Sequence, residues 1–157
     1  MNRVLRLTLV LLALLAVVGA GAQTIALSER APRIKKAKWF NSAKPPKSDF
    51  TFVEFVHSAS APCRQSVERI CKIVEELPNT SFIIVTHQSA AEVDSWVTDC
   101  AKDRVGIIVE DSRIRNSFGV NYAPYAVILD GKRRALWFGN PQRLDRKTID
   151  KIMAADH

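Results

Sequence analysis

The stretch that decides the fold reads Phe50-Thr51-Phe52-Val53-Glu54-Phe55-Val56-His57-Ser58-Ala59-Ser60-Ala61-Pro62-Cys63. Its first half is rich in aromatic and β-branched residues, which predicts a strand over residues 50–57. Pro62 suits the first turn of a helix, and Pro78 ends the pattern that follows it. Between the two prolines, apolar residues recur at helical spacing, at Cys63, Val67, Ile70, Val74 and Leu77. The sequence therefore predicts a strand, a tight turn and a helix over residues 62–77, with a cysteine in the first helical turn.

Beyond Pro78 the chain alternates strand and helix patterns. Strands are predicted at 81–87, 105–109, 125–129 and 134–138, and helices at 89–100, 112–118 and 144–155. Ser89 and Glu92 form a capping box for the second helix, and Asp130-Gly131 is a hairpin signal between the last two strands. The predicted order is βαβαβαββα. Strands that alternate with helices predict parallel pairing, and the final hairpin adds antiparallel strands.

The N-terminal part of the chain is predicted to lie outside this domain. Arg3 and Arg6 precede an apolar run over 7–18 and small residues at 19–22, which predicts a cleaved export signal over 1–22. An uncleaved membrane anchor is the alternative, although the run is short for a span. Residues 23–49 are predicted to be an extended N-terminal extension, with Trp39 or Phe40 as its anchor on the core. Residues 50–157 are predicted to form the folded domain.

Composition and charge limit the class of protein. With 157 residues, 47% of them apolar and 25% charged, the chain is neither wholly disordered nor fibrous and has room for one core. The net charge is +7. Basic residues are densest in the extension, at Arg30, Arg33, Lys35, Lys36, Lys38, Lys44 and Lys47. Such a patch suits an anionic surface, but export argues against nucleic acid, and a solvated face is the expectation.

This layout resembles the thioredoxin fold and, more narrowly, the TlpA/ResA-type branch of exported thiol–disulfide oxidoreductases. The resemblance covers about residues 29–157. Its motifs are Glu29-Arg30-Ala31-Pro32, Glu54-Phe55, Pro62-Cys63, Phe118-Gly119-Val120, Pro124 before a strand, Leu129-Asp130-Gly131 and Trp137-Phe138-Gly139-Asn140-Pro141. It implies an α/β, three-layer sandwich in which a mixed central sheet carries helices on both faces.

The resemblance also implies site residues. Ser60 stands where the family has its attacking cysteine, and Cys63 matches the second, resolving cysteine. Glu54 matches a buried carboxylate that assists proton transfer. Pro124 matches a cis-proline that, with the backbone of Ala123, shapes the substrate groove. Two further positions depart from the family: Ala59 replaces a tryptophan, and Val56 replaces an aromatic residue.

The serine at position 60 bears directly on the chemistry. Disulfide exchange requires a thiolate, and a serine hydroxyl is too basic and too hard to replace it. Ser60 is then expected to act as a helix N-cap. Cys63 has two opposed influences, because a helix N-terminus favours a thiolate whereas a place on the apolar stripe favours an inert thiol.

Three functional hypotheses follow. The first is a degenerate protein that binds client peptides or thiols at the Pro124 groove without two-thiol turnover. The second is a single-cysteine redox enzyme that uses Cys63 with peroxide or an external thiol, since Ser60-x-x-Cys63 also fits the Thr/Ser-x-x-Cys layout of peroxiredoxins. The third is a structural exported domain. Whether the chain is an enzyme stays open at this point.

The remaining cysteines and histidines give weaker signals. Cys63 and Cys71 are eight residues apart on one predicted helix, about 12 Å along its axis, which is too far for a disulfide. Cys71 and Cys100 are expected to be unbridged core residues, on helices that cover opposite faces of the sheet. His57 and His87 lack metal-ligand spacing.

The same patterns set the expected cofactors, partners and location. We expect no metal and no cofactor. The expected partners are client thiols and an external redox partner, with no nucleic acid, and with the membrane only if the leader is retained. The expected location is the periplasm or another extracytoplasmic space.

Overall fold

The computed structural model describes residues 25–109 and 112–156, so the predicted leader lies outside the described residues. The strands are β1 (Lys38–Trp39), β2 (Phe50–Val56), β3 (Thr80–Thr86), β4 (Val105–Val109), β5 (Tyr125–Asp130) and β6 (Ala135–Gly139). The α-helices are α1 (Ala61–Glu76), α2 (Ala90–Trp96), α3 (Arg113–Ser117) and α4 (Arg146–Ala154), and short 3-10 helices occupy Phe40–Ser42, Lys102–Arg104 and Pro141–Arg143. None of the described helices has the length and apolar content that a bilayer crossing requires.

The six strands form one mixed sheet in the order β1-β4-β3-β2-β5-β6. Strands β2, β3 and β4 are parallel, whereas β1 pairs with β4, β5 with β2 and β6 with β5 in the antiparallel sense. The predicted parallel core and antiparallel terminal hairpin are therefore confirmed. Strand β1 was not predicted, because a two-residue edge strand has no periodicity of its own.

Helices α1 and α2 pack on the same face of the sheet, which corrects the expectation that they cover opposite faces. Val67 and Ile70 of α1 share one apolar cluster with Val93 and Trp96 of α2, and Ile149 of α4 joins it. The chain steps from β2 to β3 to β4 in one direction, and right-handed crossovers then leave both helices on one side. The short helix α3 contributes Ile114 to a second cluster on the opposite face.

A disulfide joins Cys71 to Cys100, and the prediction that these two cysteines are unbridged was therefore wrong. Cys71 lies in α1, and Cys100 lies four residues after α2 ends at Trp96. Because the two helices share a face, the Cα atoms of Cys71 and Cys100 lie 5.5 Å apart, a usual separation for a disulfide.

The N-terminal extension is held to both faces of the sheet. Trp39 packs against the α3-side cluster, whereas Phe40 packs against the α1-side cluster. Gly106 of β4 lets the Trp39 ring lie close to the sheet, since a Cβ at position 106 would be 2.7 Å from that ring. Both residues predicted as anchors therefore contact the core.

The β5–β6 hairpin differs from its sequence signal. The connection spans residues 131–134, and Arg133, not Gly131, has a positive φ of 65°. The Oδ1 of Asp130 accepts from the backbone N–H groups of Lys132 and Arg134 at 2.8 and 2.7 Å. This carboxylate stabilises the turn, whose four residues begin one position later than the strands predicted from the sequence imply.

Candidate active-site turn

Ser60 caps the helix that follows the first long strand. After β2 the chain turns, and the N–H of Ser60 donates to the carbonyl of His57 at 3.0 Å. The Oγ of Ser60 accepts from the N–H of Cys63 at 3.4 Å, while Pro62 occupies the first turn of α1. The predicted N-cap is confirmed, and it satisfies one of the backbone donors that a helix start leaves free.

Cys63 is the free cysteine among the described residues, and its side chain is fully buried. Its Sγ accepts from the backbone N–H of His57 at 3.5 Å, and its neighbours are members of the apolar cluster beneath α1. The other two cysteines are joined to each other. A second thiol is therefore not available to Cys63 within the described part of the chain.

Glu54 is a fully buried carboxyl in the centre of β2, next to Ile84 of β3 and Ala126 of β5. Neither of its oxygens has a hydrogen-bond partner among the described residues. Burial raises the pKa of Glu54 to about 8, against weaker lowering effects of the Ser66 hydroxyl and the Arg69 charge. The carboxyl is therefore protonated and neutral at pH 7, which reduces the cost of burying it.

Two residues near Glu54 were not predicted from the sequence. The Oγ of Ser66 and the Nε of Arg69, both on α1, are buried and also lack partners among the described residues. The Nη1 of Arg69 donates to the carbonyl of Gln142 at 3.1 Å, and its Nη2 donates to the carbonyl of Pro141. Ser66 follows Cys63 by three positions, a spacing that could have placed it on the buried side of α1.

Pro124 and Ala123 lie at the same end of the sheet as the Ser60 turn. Strands β2 and β5 are antiparallel with Phe55 opposite Tyr125, so the residue that follows β2 and the residues that precede β5 meet at one edge. The Ala123–Pro124 peptide bond is cis, as predicted. Pro124 is buried and Ala123 is half-buried.

An open groove of about 410 Å³ lies beside this edge. It is lined by Tyr122, Trp137, Phe138, Gly139, Asn140, Arg143, Leu144 and Thr148. Tyr122 is 50% exposed and contacts Tyr125 edge-to-face, with ring centroids 5.3 Å apart. An exposed aromatic ring at the rim of a groove is a typical anchor for a peptide.

The two histidines at strand ends do not come together in a ligand set. The Nδ1 of His57 accepts from the N–H of Ala59 at 3.3 Å, and His87 is exposed. Across residues 25–109 and 112–156, no three His, Cys, Asp or Glu side chains form a group that could hold a metal ion.

The sheet order, the helices on both faces and the proline beside the turn define a thioredoxin-like fold, which confirms the predicted fold class. A solved structure of a putative thiol:disulfide interchange protein DsbE from Chlorobium tepidum matches 84% of this chain and 98% of its own, with 14% identity and a TM-score of 0.62. A thioredoxin-like protein from Aeropyrum pernix matches 70% of this chain and 79% of its own, with 12% identity and a TM-score of 0.60.

A secreted Mycobacterium tuberculosis disulfide oxidoreductase homologous to E. coli DsbE matches 68% of this chain and 81% of its own, with 14% identity and a TM-score of 0.55. No protein-family model matches the chain, and no curated protein shows significant similarity to it. The similarity to these solved structures therefore concerns the fold alone.

Proposed function

We propose that this chain is an exported thioredoxin-like protein that binds client peptides beside Ala123 and Pro124 and has no two-thiol catalytic cycle. The observation that carries the proposal is the state of the three cysteines. Cys71 and Cys100 are bonded to each other, and Cys63 is free but fully buried beneath a serine cap. The site thus keeps the geometry of a thiol–disulfide oxidoreductase turn without its nucleophile.

The chemistry supports the absence of turnover. A thiolate must attack a client disulfide, and a second thiol must then release the mixed disulfide. Ser60 supplies neither sulfur, and its Oγ is engaged by the N–H of Cys63. Cys63 has no exposed surface from which to attack a client. Both steps of the family's exchange reaction therefore lack a reagent in this chain.

The surface beside the turn supports client binding. Tyr122 offers a half-exposed ring, and the groove next to it continues along Trp137 and Gly139 of β6. Strand β6 lies at the end of the sheet order, and among the described residues β5 is its one strand partner. The extension bonds to β6 at Ala135, which does not line the groove. An extended peptide can therefore lie along this end of the sheet, with its side chains directed into the groove.

The alternative is a single-cysteine redox enzyme, and the free state of Cys63 is the observation in its favour. In that case Glu54 would exchange protons with the sulfur, and the turn at Ser60 would have to open to admit peroxide or an external thiol. Complete burial of Cys63 favours the non-catalytic proposal. Peroxide consumption that is lost in Cys63→Ser would establish the alternative instead.

Client binding is tested with a fluorescein-labelled insulin B chain whose cysteines are carboxymethylated. Tyr122→Ala should weaken binding about tenfold, as expected for the loss of an aromatic anchor. The matched control is Leu27→Ala, because Leu27 is the other large apolar side chain that is exposed among the described residues, at 58%. Equal binding by both variants, or no binding by the wild-type chain, would remove the proposed client surface.

Turnover is tested separately by insulin reduction with dithiothreitol as the electron source. The wild-type rate should equal the uncatalysed rate. Rapid reduction would show that a thiol pair operates in this chain and would contradict the proposal. Export is tested by N-terminal sequencing of the chain from the periplasm of an expressing bacterium, where Gln23 should be the first residue.

A further inference from the structure

A second groove, the basic groove, lies on the face of the sheet opposite α1. It encloses about 460 Å³. Its floor is formed by Thr51 and Val53 of β2, Ile83 of β3 and Leu129 of β5. These residues are neighbours in the strand register, with Val53 opposite Ile83 and Thr51 opposite Leu129. Three of these four side chains are apolar; Val53 and Leu129 are buried, whereas Thr51 and Ile83 keep access to solvent.

This floor is incompletely covered. Ile83 belongs to an interior strand of the sheet, yet it is only half-buried while the other residues of β3 are buried. Phe118, which follows α3, closes one side, and Trp39 of β1 closes another with a half-buried ring. An interior aliphatic side chain that keeps access to solvent is typical of a ligand pocket.

The rim of the basic groove is positively charged. Its charged lining residues are Arg33, Lys35, Lys44 and Arg133, and no acidic side chain of the described residues lines it. Arg133 is fixed by a hydrogen bond from Nη1 to the carbonyl of Ala31 at 2.9 Å. The ion pairs found among the described residues do not include Arg33, Lys35 or Lys44. Within the described part of the chain, these three cations therefore have no carboxylate partner.

We propose that the basic groove binds an anionic amphiphile, a medium-chain carboxylate with about the size of dodecanoate. The apolar floor takes the hydrocarbon chain, and the cations of the rim take the carboxylate. A volume of about 460 Å³ lies within the range of small-ligand sites. Charge complementarity favours an anion, and the half-exposed Ile83 and Trp39 side chains favour an aliphatic tail over a polar ligand.

The proposal is independent of client binding beside Pro124. The basic groove and the groove beside Tyr122 have no lining residue in common. Variants in the basic groove should leave binding of the insulin B chain unchanged. Failure of one proposal therefore does not affect the other.

The test is a titration of the full-length chain with dodecanoate below its micellar concentration, followed by calorimetry and tryptophan fluorescence. We expect saturable one-site binding with a Kd of roughly 10–100 μM, as expected for a ligand of this size. Dodecyltrimethylammonium, with the same tail and the opposite charge, should bind at least tenfold more weakly. The double variant Lys35→Glu/Lys44→Glu should also bind dodecanoate at least tenfold more weakly.

The matched control is Lys72→Glu, an exposed substitution on α1 at the other face, which should bind like the wild-type chain. Ile83→Thr keeps a β-branched residue in β3 and should weaken dodecanoate binding several-fold. Three results would overturn the proposal: no saturable binding, equal affinity for the anionic and cationic amphiphiles, or a dimer in light scattering that dissociates in Lys35→Glu/Lys44→Glu. The last result would make a second copy of the chain the occupant.

Discussion

The backbone N–H of Cys63 donates to the Oγ of Ser60 across 3.4 Å. The side chain of residue 60 therefore contacts the backbone of Cys63, whose sulfur would be its partner in a two-thiol site. Ser60 acts here as a helix cap, and under the proposed function it stands where exchange chemistry would require a sulfur. Under the proposed function, position 60 is therefore where a second cysteine would pair with Cys63.

Replacing Ser60 with cysteine should therefore restore a disulfide. In Ser60→Cys, air oxidation should join residues 60 and 63, and the oxidised chain should contain no titratable thiol after denaturation. Insulin reduction should rise above the uncatalysed rate. Loss of the oxygen cap should cost about 1 kcal/mol of stability in the reduced form.

The control for this variant is Ser58→Cys. The Oγ of Ser58 is directed to the Oε1 of Gln88 at 3.2 Å, so a thiol there should stay unpaired. Two free thiols in Ser58→Cys and none in Ser60→Cys is the expected pattern. A free thiol at both positions in oxidised Ser60→Cys would mean that this turn is not equivalent to a Cys-x-Pro-Cys site.

The buried carboxyl of Glu54 should make stability fall as the pH rises. Burial raises the pKa of Glu54 from 4.5 to about 8 in the folded chain. Between these values the folded state keeps a proton that the unfolded state has lost. The stabilisation by the protonated carboxyl is fully present below pH 4.5. It is lost progressively as the pH rises to about 8, and the free energy of unfolding falls by close to about 1.4 kcal/mol per pH unit.

Urea unfolding at several pH values measures this slope. Glu54→Gln places a neutral side chain of similar shape in β2 and should remove most of the dependence between pH 5 and 8. Glu75→Gln, at an exposed position on α1, should behave like the wild-type chain. Identical slopes for Glu54→Gln and the wild-type chain would show that Glu54 is not the titrating group.

The Cys71–Cys100 disulfide should raise the free energy of unfolding. It closes a loop of 29 residues, for which loop-closure entropy predicts about 3.5 kcal/mol. Dithiothreitol should lower the urea midpoint of the wild-type chain but leave that of Cys71→Ala/Cys100→Ala unchanged. If reductant does not shift the wild-type midpoint, the two cysteines are not paired in solution.

Arg104 should stabilise the C-terminal end of α1. Its Nη1 donates to the carbonyls of Val74 and Leu77 at 2.9 and 2.6 Å, and its Nη2 donates to that of Glu75 at 3.2 Å. A cation there also complements the helix dipole. Arg104→Met should therefore cost about 2 kcal/mol in chemical denaturation, as expected for hydrogen bonds from a charged group.

The comparison for Arg104 is Arg64→Met. Arg64 forms an exposed ion pair with Glu68 at 2.8 Å on the same helix, and its loss should cost less than about 0.5 kcal/mol. Similar costs for the two variants would mean that the carbonyl contacts of Arg104 contribute little.

The sequence alone determined the local elements around the turn. The strand over Phe50–Val56, the cap at Ser60 and the apolar stripe of α1 depend on contacts within a few residues, and helical or strand periodicity records such contacts directly. The cis bond before Pro124 came from the family resemblance, not from periodicity.

Only the tertiary structure decided which elements share a face. The handedness of two successive crossovers brings α1 and α2 together, and this joins Cys71 to Cys100, a pair that spacing along the chain did not reveal. Likewise, Ser66 and Arg69 lie near Glu54 because α1 packs over β2. The basic groove exists because β1 and the extension leave Ile83 partly uncovered. Contacts between distant segments depend on chain direction and packing, which no local pattern of residues encodes.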